Sequence, residues 1–112
     1  VDTLKSATKY DGEKSRIDLV DPSFLEELGK VLGFGAKKYA EHNWRLGLKV
    51  SRIIAATYRH LGAINNGEDI DPESGLPHTG HLACCTMFLS WTLRNRPECD
   101  DRYKDGTKTS IS

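Results

Sequence analysis

Pro77-His78-Thr79-Gly80-His81-Leu82-Ala83-Cys84-Cys85-Thr86-Met87-Phe88-Leu89-Ser90-Trp91-Thr92-Leu93-Arg94-Asn95 reads as one long helix, with Pro97 standing beyond its end. Leu82, Ala83, Cys85, Met87, Phe88, Leu89, Trp91 and Leu93 spread over nearly all of its faces. A helix apolar almost all round is buried on most sides. In a chain of 112 residues that burial calls for the other helices and for a partner subunit.

Two further helices lie upstream. Asp21-Pro22 is a start signal, with Asp as N-cap and Pro in the first helical position. From there Phe24, Leu25, Leu28, Val31, Leu32, Gly35, Ala36 and Tyr39 recur at helical spacing, which predicts a helix over 22–40. Val50, Ile53, Ile54, Thr57, Leu61 and Ile64 form a second stripe, and Asn66-Gly67 stops it, giving a helix over 50–65. Residues 1–20 and 41–49 read as loops, and the alternation of a strand is absent. The expected class is all-α, a helical bundle completed by oligomerisation. The expected domain covers 1–96, with 1–20 as an N-terminal arm and 97–112 as a polar, loosely ordered tail.

Lys plus Arg and Asp plus Glu both number 16, so no overall charge points to a nucleic-acid or membrane partner. No apolar run reaches transmembrane length, and no signal peptide is visible. Cys84 and Cys85 are adjacent inside the apolar helix and Cys99 stands apart, which is not a disulfide framework. A reducing, cytoplasmic setting is expected.

Gly67-Glu68-Asp69-Ile70-Asp71-Pro72-Glu73-Ser74-Gly75 is the chemically densest segment. Crowded carboxylates repel unless something cationic sits among them, and their oxygens suit Mg²⁺, Mn²⁺ and Ca²⁺. The competing reading is a solvated loop that caps the next helix. Glu26 falls nearly opposite the apolar stripe of the first helix, where it pairs with Lys30. Glu27 lies about 100° from the stripe's centre, at a border that can face a cleft. Lys38 follows on that flank. Gly29, Gly33 and Gly35 imply close approach by another helix or by a ligand, and helix packing is the simpler cause.

Lys37-Lys38-Tyr39 with His42-Asn43-Trp44-Arg45 offers cations for phosphates, rings for stacking and an amide for base edges. Lys14 and Arg16 add cations on the N-terminal arm. His60 faces its helix's apolar stripe and reads as a core histidine. His78, His81 and Cys85 share a helix face, but no fourth zinc ligand has suitable spacing. P-loop, dinucleotide-binding and nucleophile-elbow fingerprints are absent.

The series Gly35-Ala36-Lys37-Lys38-Tyr39, Asn43-Trp44, Arg59-His60, and Gly67 through His78 to His81 resembles the phage dATP/dGTP diphosphohydrolase family. That family is the MazZ-type branch of the MazG-like all-α NTP pyrophosphatases. Lys9-Tyr10-Asp11 and Lys14-Ser15-Arg16-Ile17-Asp18-Leu19 resemble its start, so the likeness runs over about 9–93. The resemblance implies an oligomeric bundle, a dimer or tetramer, that holds two or three Mg²⁺ or Mn²⁺ ions. It implies cleavage of dGTP or dATP between the α and β phosphates, giving the monophosphate and pyrophosphate. It also implies a place in phage nucleotide-pool control and 2-aminoadenine DNA synthesis in the host cytoplasm.

On that resemblance Glu27, Glu68 and Asp71 are the expected catalytic metal ligands, with Glu73 and His78 completing the shell. Lys14, Arg16, Lys38 and Arg59 are expected on the phosphates, Tyr39 or Trp44 on the base face, and Asn43 on the base edge. The superfamily's paired E-x-x-E and E-x-x-D pattern is only half present. Glu68-x-x-Asp71 has the second spacing, whereas Glu26 and Glu27 are adjacent. Either the cage is built differently here, or Glu73 and His78 replace the missing ligands. Two rivals remain at this level: a related pyrophosphohydrolase for dUTP, dCTP or phosphoribosyl-ATP, and a helical interaction module without activity.

Overall fold

The computed structural model describes Thr8, Tyr10 and residues 12–105. The expectations for residues 1–7, Lys9, Asp11 and residues 106–112 fall outside the described residues. The chain is all-α, and among the described residues three helices are named: α1 (Pro22–Lys38), α2 (Val50–Asn65) and α3 (His78–Asn95). Short 3-10 turns at Ile17–Leu19, Asn43–Leu46 and Pro97–Cys99 flank or join them. Among the described residues the only β pairing is an isolated antiparallel bridge between Ile70 and Pro77. No helix there is long and apolar enough to cross a membrane.

The start of α1 is built as its sequence requires. Asp21 accepts a hydrogen bond from the Ser23 amide at 3.1 Å, and Pro22 occupies the first turn. The end comes earlier than its apolar spacing suggests. Tyr39 caps the helix, and Ala40 then takes φ +133°, with His42 at φ +60°. Both lie where L-residues are sterically disfavoured, so the chain leaves the helix axis sharply. α2 matches its sequence at both ends. Its C-terminus is a Schellman closure: Gly67 at φ +89°, its amide donating to Ile64 O, and the Glu68 amide donating to Ala63 O.

α3 is the middle element and packs on both α1 and α2. Its start shifts by one residue, with Pro77 as the cap. The closest approach is at Gly80. A Cβ there would meet Glu27 Cγ and Val31 Cγ2 at 3.0 Å and the Glu27 carbonyl oxygen at 3.3 Å. The glycines of α1, by contrast, have nothing within 4 Å of such an atom. Within the chain the close contact is made by Gly80 of α3, which the sequence reading did not single out.

The segment expected as a loose tail is fastened at its start. Arg96 donates to the Arg45 carbonyl, and Asp101 accepts from the Ser51 amide at 2.8 Å and from its hydroxyl at 2.6 Å. Lys49, the N-cap of α2, supplies no side-chain cap, so Asp101 provides from a distance what the local sequence lacks. Among the described residues the hydrophobic core is small: Val31, Val50, Ile53, Cys84 and Cys85 are the buried apolar ones.

Gly80→Ala is expected to destabilise the domain by about 1–3 kcal/mol through overpacking. Gly29→Ala is expected to stabilise it by about 1 kcal/mol through helix propensity. Paired urea melts of the two variants check both signs.

Candidate functional site

A cleft of about 1060 Å³ opens between the end of α1, the 40–48 connection and the facing sides of α2 and α3. Its walls divide by chemistry. Phe34, Tyr39, Trp44, Phe88 and Trp91 supply rings, and Lys38, Arg45, Arg52, Arg59 and Arg94 supply cations. His60, Asp71, Glu73 and His81 line its acidic, imidazole-rich part.

The aromatic wall is internally packed. Trp44 stacks on Phe88 with centroids 4.9 Å apart and meets Trp91 edge-on at 5.1 Å. The Arg45 guanidinium lies 4.9 Å from the Trp44 centroid. Trp44 therefore builds the wall, whereas Tyr39 is 62% exposed and offers a ring face. Asn43 opens the 3-10 turn beside them and lines the cleft.

The acid loop is folded back on itself. The Asp71 amide donates to Leu76 O, and the Gly75 amide donates to Asp71 O, with Gly75 at φ +72°. The Asp71 carboxylate accepts from the Ser74 amide at 3.0 Å and from the Ser74 hydroxyl at 2.8 Å. Because that hydroxyl proton goes to Asp71, the 2.7 Å contact between Ser74 Oγ and His81 Nε2 places a proton on His81 Nε2. His81 keeps a lone pair on Nδ1 and stacks on His60, centroids 4.6 Å apart and planes 7° apart.

His78 is the buried centre, only 3% exposed. Its Nε2 lies 2.7 Å from Glu68 Oε1, and a carboxylate can only accept, so this nitrogen carries the proton. In the neutral ring Nδ1 is then an acceptor, and His60 Nδ1 donates to it across 2.8 Å. His60, Asp71 and His78 each present a ligand atom, all within 4.8 Å of one another.

Burial lowers the His60 pKa from its ordinary value, helped by the neighbouring His81 and His78 rings. Burial also lowers that of His81, against the opposing charge of Asp71. For Asp71 burial acts upward, but the Ser74 hydroxyl and amide outweigh it and hold the carboxyl below the usual range. The site thus favours the unprotonated form of His60 and His81 beside an ionised Asp71.

The residues singled out in the sequence separate into groups. Asp71 and His78 come together, and Glu68 joins them through its bond to His78. Glu73 lines the cleft and accepts a salt-bridged hydrogen bond from Lys38. Glu27 does not join the cluster: its carboxylate accepts from the Thr79 hydroxyl in the first turn of α3. It is half-buried while Glu26 is exposed, as their helix positions indicated. Tyr39, Asn43, Trp44 and Arg59 line the cleft with Lys38. Lys14 and Arg16 do not, and Arg16 pairs instead with Asp18 at 2.9 Å. The His78, His81 and Cys85 grouping is replaced by one with His60, and burial raises the Cys85 thiol pKa. Sequence reasoning passed over Ser74, Arg52 and the pairing of His60 with His78. The seven-residue spacing of Arg52 and Arg59, which puts both on one face of α2, was the available signal.

This is a small all-α domain whose aromatic, arginine-lined cleft ends in a histidine–carboxylate cluster. Over residues 5–102 the chain matches the family described as dATP/dGTP diphosphohydrolase, N-terminal, and it belongs to that family. It is 44% identical over 94 residues to a dATP/dGTP diphosphohydrolase of Salmonella phage PMBT28. That match covers 84% of this chain and 32% of the relative, so the chain spans about a third of the length of the curated protein it resembles. No solved structure matches it.

Ser74→Ala is expected to raise the Asp71 carboxyl pKa, because the hydroxyl that holds it down is removed. The stability Asp71 contributes above the unfolded carboxylate range, lost as pH falls through its lowered pKa, then shrinks. A carboxyl ¹³C titration of the wild type and the variant reads the shift directly.

Proposed function

We propose that this chain binds a purine deoxynucleoside triphosphate in the cleft and hydrolyses it between the α and β phosphates, with a divalent metal, to the monophosphate and pyrophosphate. The observation that carries the reading is one continuous cleft that joins ring faces and arginines to Asp71, Glu73 and neutral imidazoles. The name of the phage relative supports the same substrate class.

In this reading the base lies against Tyr39 and the Trp44 wall, with Asn43 at its edge. Lys38, Arg52 and Arg59 take the phosphate oxygens, where charge-assisted bonds are strongest. The donor chemistry fits a metal, since Asp71 and Glu73 face the cleft with Glu68 and His78 behind them. When bound, Mg²⁺ or Mn²⁺ supplies charge neutralisation of the phosphates and a more acidic water. His81, its Nε2–H committed to Ser74, offers a basic Nδ1 to accept a proton from the attacking water. Glu27 supports α3 rather than the reaction. In a phage-infected cell the reaction would lower dATP in the host cytoplasm and supply dGMP for 2-aminoadenine nucleotide synthesis.

A homo-oligomer, dimer or tetramer, is part of the proposal. Phe24 and Leu25 on α1, and Tyr58 and Leu61 on α2, are 41–71% exposed, far more than such side chains need be in a completed core. Light scattering is expected to give a multiple of 12.5 kDa, and a monomer would contradict this.

Incubation with dGTP, dATP, dCTP and dTTP, with Mn²⁺, Mg²⁺ or EDTA, tests the activity. The expected products are purine monophosphates and pyrophosphate, lost in EDTA. Asp71→Ala is expected to lower turnover by at least about 100-fold while the helical circular dichroism is kept. Pyrimidine preference, or no turnover by folded protein, would contradict the reading.

A further inference from the structure

We infer that the paired imidazoles of His60 and His78, with Asp71, form a nitrogen-rich site for one borderline transition-metal ion, distinct in ligand chemistry from an all-oxygen magnesium site. The inference rests on the cluster's geometry and stands whether or not the chain turns over nucleotide.

The two Nδ1 atoms face each other across 2.8 Å, and the proton between them is the only thing keeping the lone pairs apart. Replacing that proton by a cation turns both nitrogens into ligands. Bond lengths of about 2.0–2.1 Å in a tetrahedral ion would set the nitrogens roughly 3.3 Å apart, so the rings need open by only about 0.5 Å. An Asp71 carboxylate oxygen already lies within 4.8 Å of a ring nitrogen of each histidine. Its orientation is fixed by two hydrogen bonds from Ser74.

The surroundings carry the features of a metal-ligating histidine. His78 gives its other ring proton to the Glu68 carboxylate, the outer contact that fixes tautomer and ring angle and raises ligand basicity. Glu68 is thereby assigned as the partner of a ligand, not as a ligand. His60 is half-buried and lines the cleft, so a fourth coordination position opens toward solvent or substrate. Three protein ligands with one open position is the pattern of a reactive site, not a closed structural one. Two imidazoles and one carboxylate favour Zn²⁺, Co²⁺ or Mn²⁺ over Mg²⁺, which prefers six oxygens.

Calorimetric titration of the nucleotide-free chain with Zn²⁺, Co²⁺, Mn²⁺ and Mg²⁺ separately tests this. One Zn²⁺ or Co²⁺ per chain is expected, at least about 100-fold tighter than Mg²⁺, with Mn²⁺ between them. Bound Co²⁺ should show visible ligand-field bands. His60→Gln should abolish tight binding, and Glu68→Gln should weaken it about 10-fold while keeping the stoichiometry. In the wild-type chain, Zn²⁺ should shift the ¹⁵N resonances of both Nδ1 atoms, a readout that does not depend on how the variants fold. Equal affinity for Mg²⁺, tight binding that survives His60→Gln, or unshifted Nδ1 resonances in the presence of Zn²⁺ would overturn the assignment.

Discussion

A histidine with 3% exposure has to satisfy two ring nitrogens without water, and His78 does so by binding two other parts of the chain. One nitrogen holds Glu68 in the acid loop and the other meets His60 near the end of α2. Its backbone amide adds a bond to Asp69 O. The first turn of α3 is thus tied to the acid loop and α2, while Gly80, two residues on, lets α1 approach to van der Waals limits. All three helices meet at this turn, and the position of every other group in the cleft follows from it.

The cleft is the space left beyond that junction. Because α1 ends at Lys38 and the chain turns through two residues of positive φ, the 40–48 connection swings across to place Trp44 on Phe88 of α3. Lys38 remains at the rim, bonded to Glu73 of the acid loop. The start of α2 is held in turn by Asp101, fifty residues away in sequence. Groups supplied by all three helices and both connections therefore converge on one volume, which local helix propensity alone does not achieve.

The helices were legible because their signals are local. Asp21-Pro22 and Asn66-Gly67 act through bonds within a few residues, and both operate as read. Ala40 misled because its strained φ comes from the path of the following connection, which no spacing reveals. The close approach at Gly80 was not legible for a related reason: a missing side chain marks permission for close approach, and only the fold shows where within the chain it is used. At the site, Asp71, His78, Lys38 and Arg59 were legible from residue type and order. His60 looked like core because it lies on an apolar stripe, and its neighbours belong to another helix. Glu27 is expected at the cage on the family resemblance, and in this structure its carboxylate accepts from Thr79.

The central claim is that a triphosphate lies between the cationic rim and the Asp71 cluster. The most direct measurement is a crystal structure of the chain with a non-hydrolysable α,β-methylene dGTP and Mn²⁺. The account predicts the phosphates between Lys38 and Arg59, the base beside Tyr39, and anomalous manganese density next to Asp71. Nucleotide bound elsewhere, or manganese placed at Glu27 and away from Asp71, would contradict it.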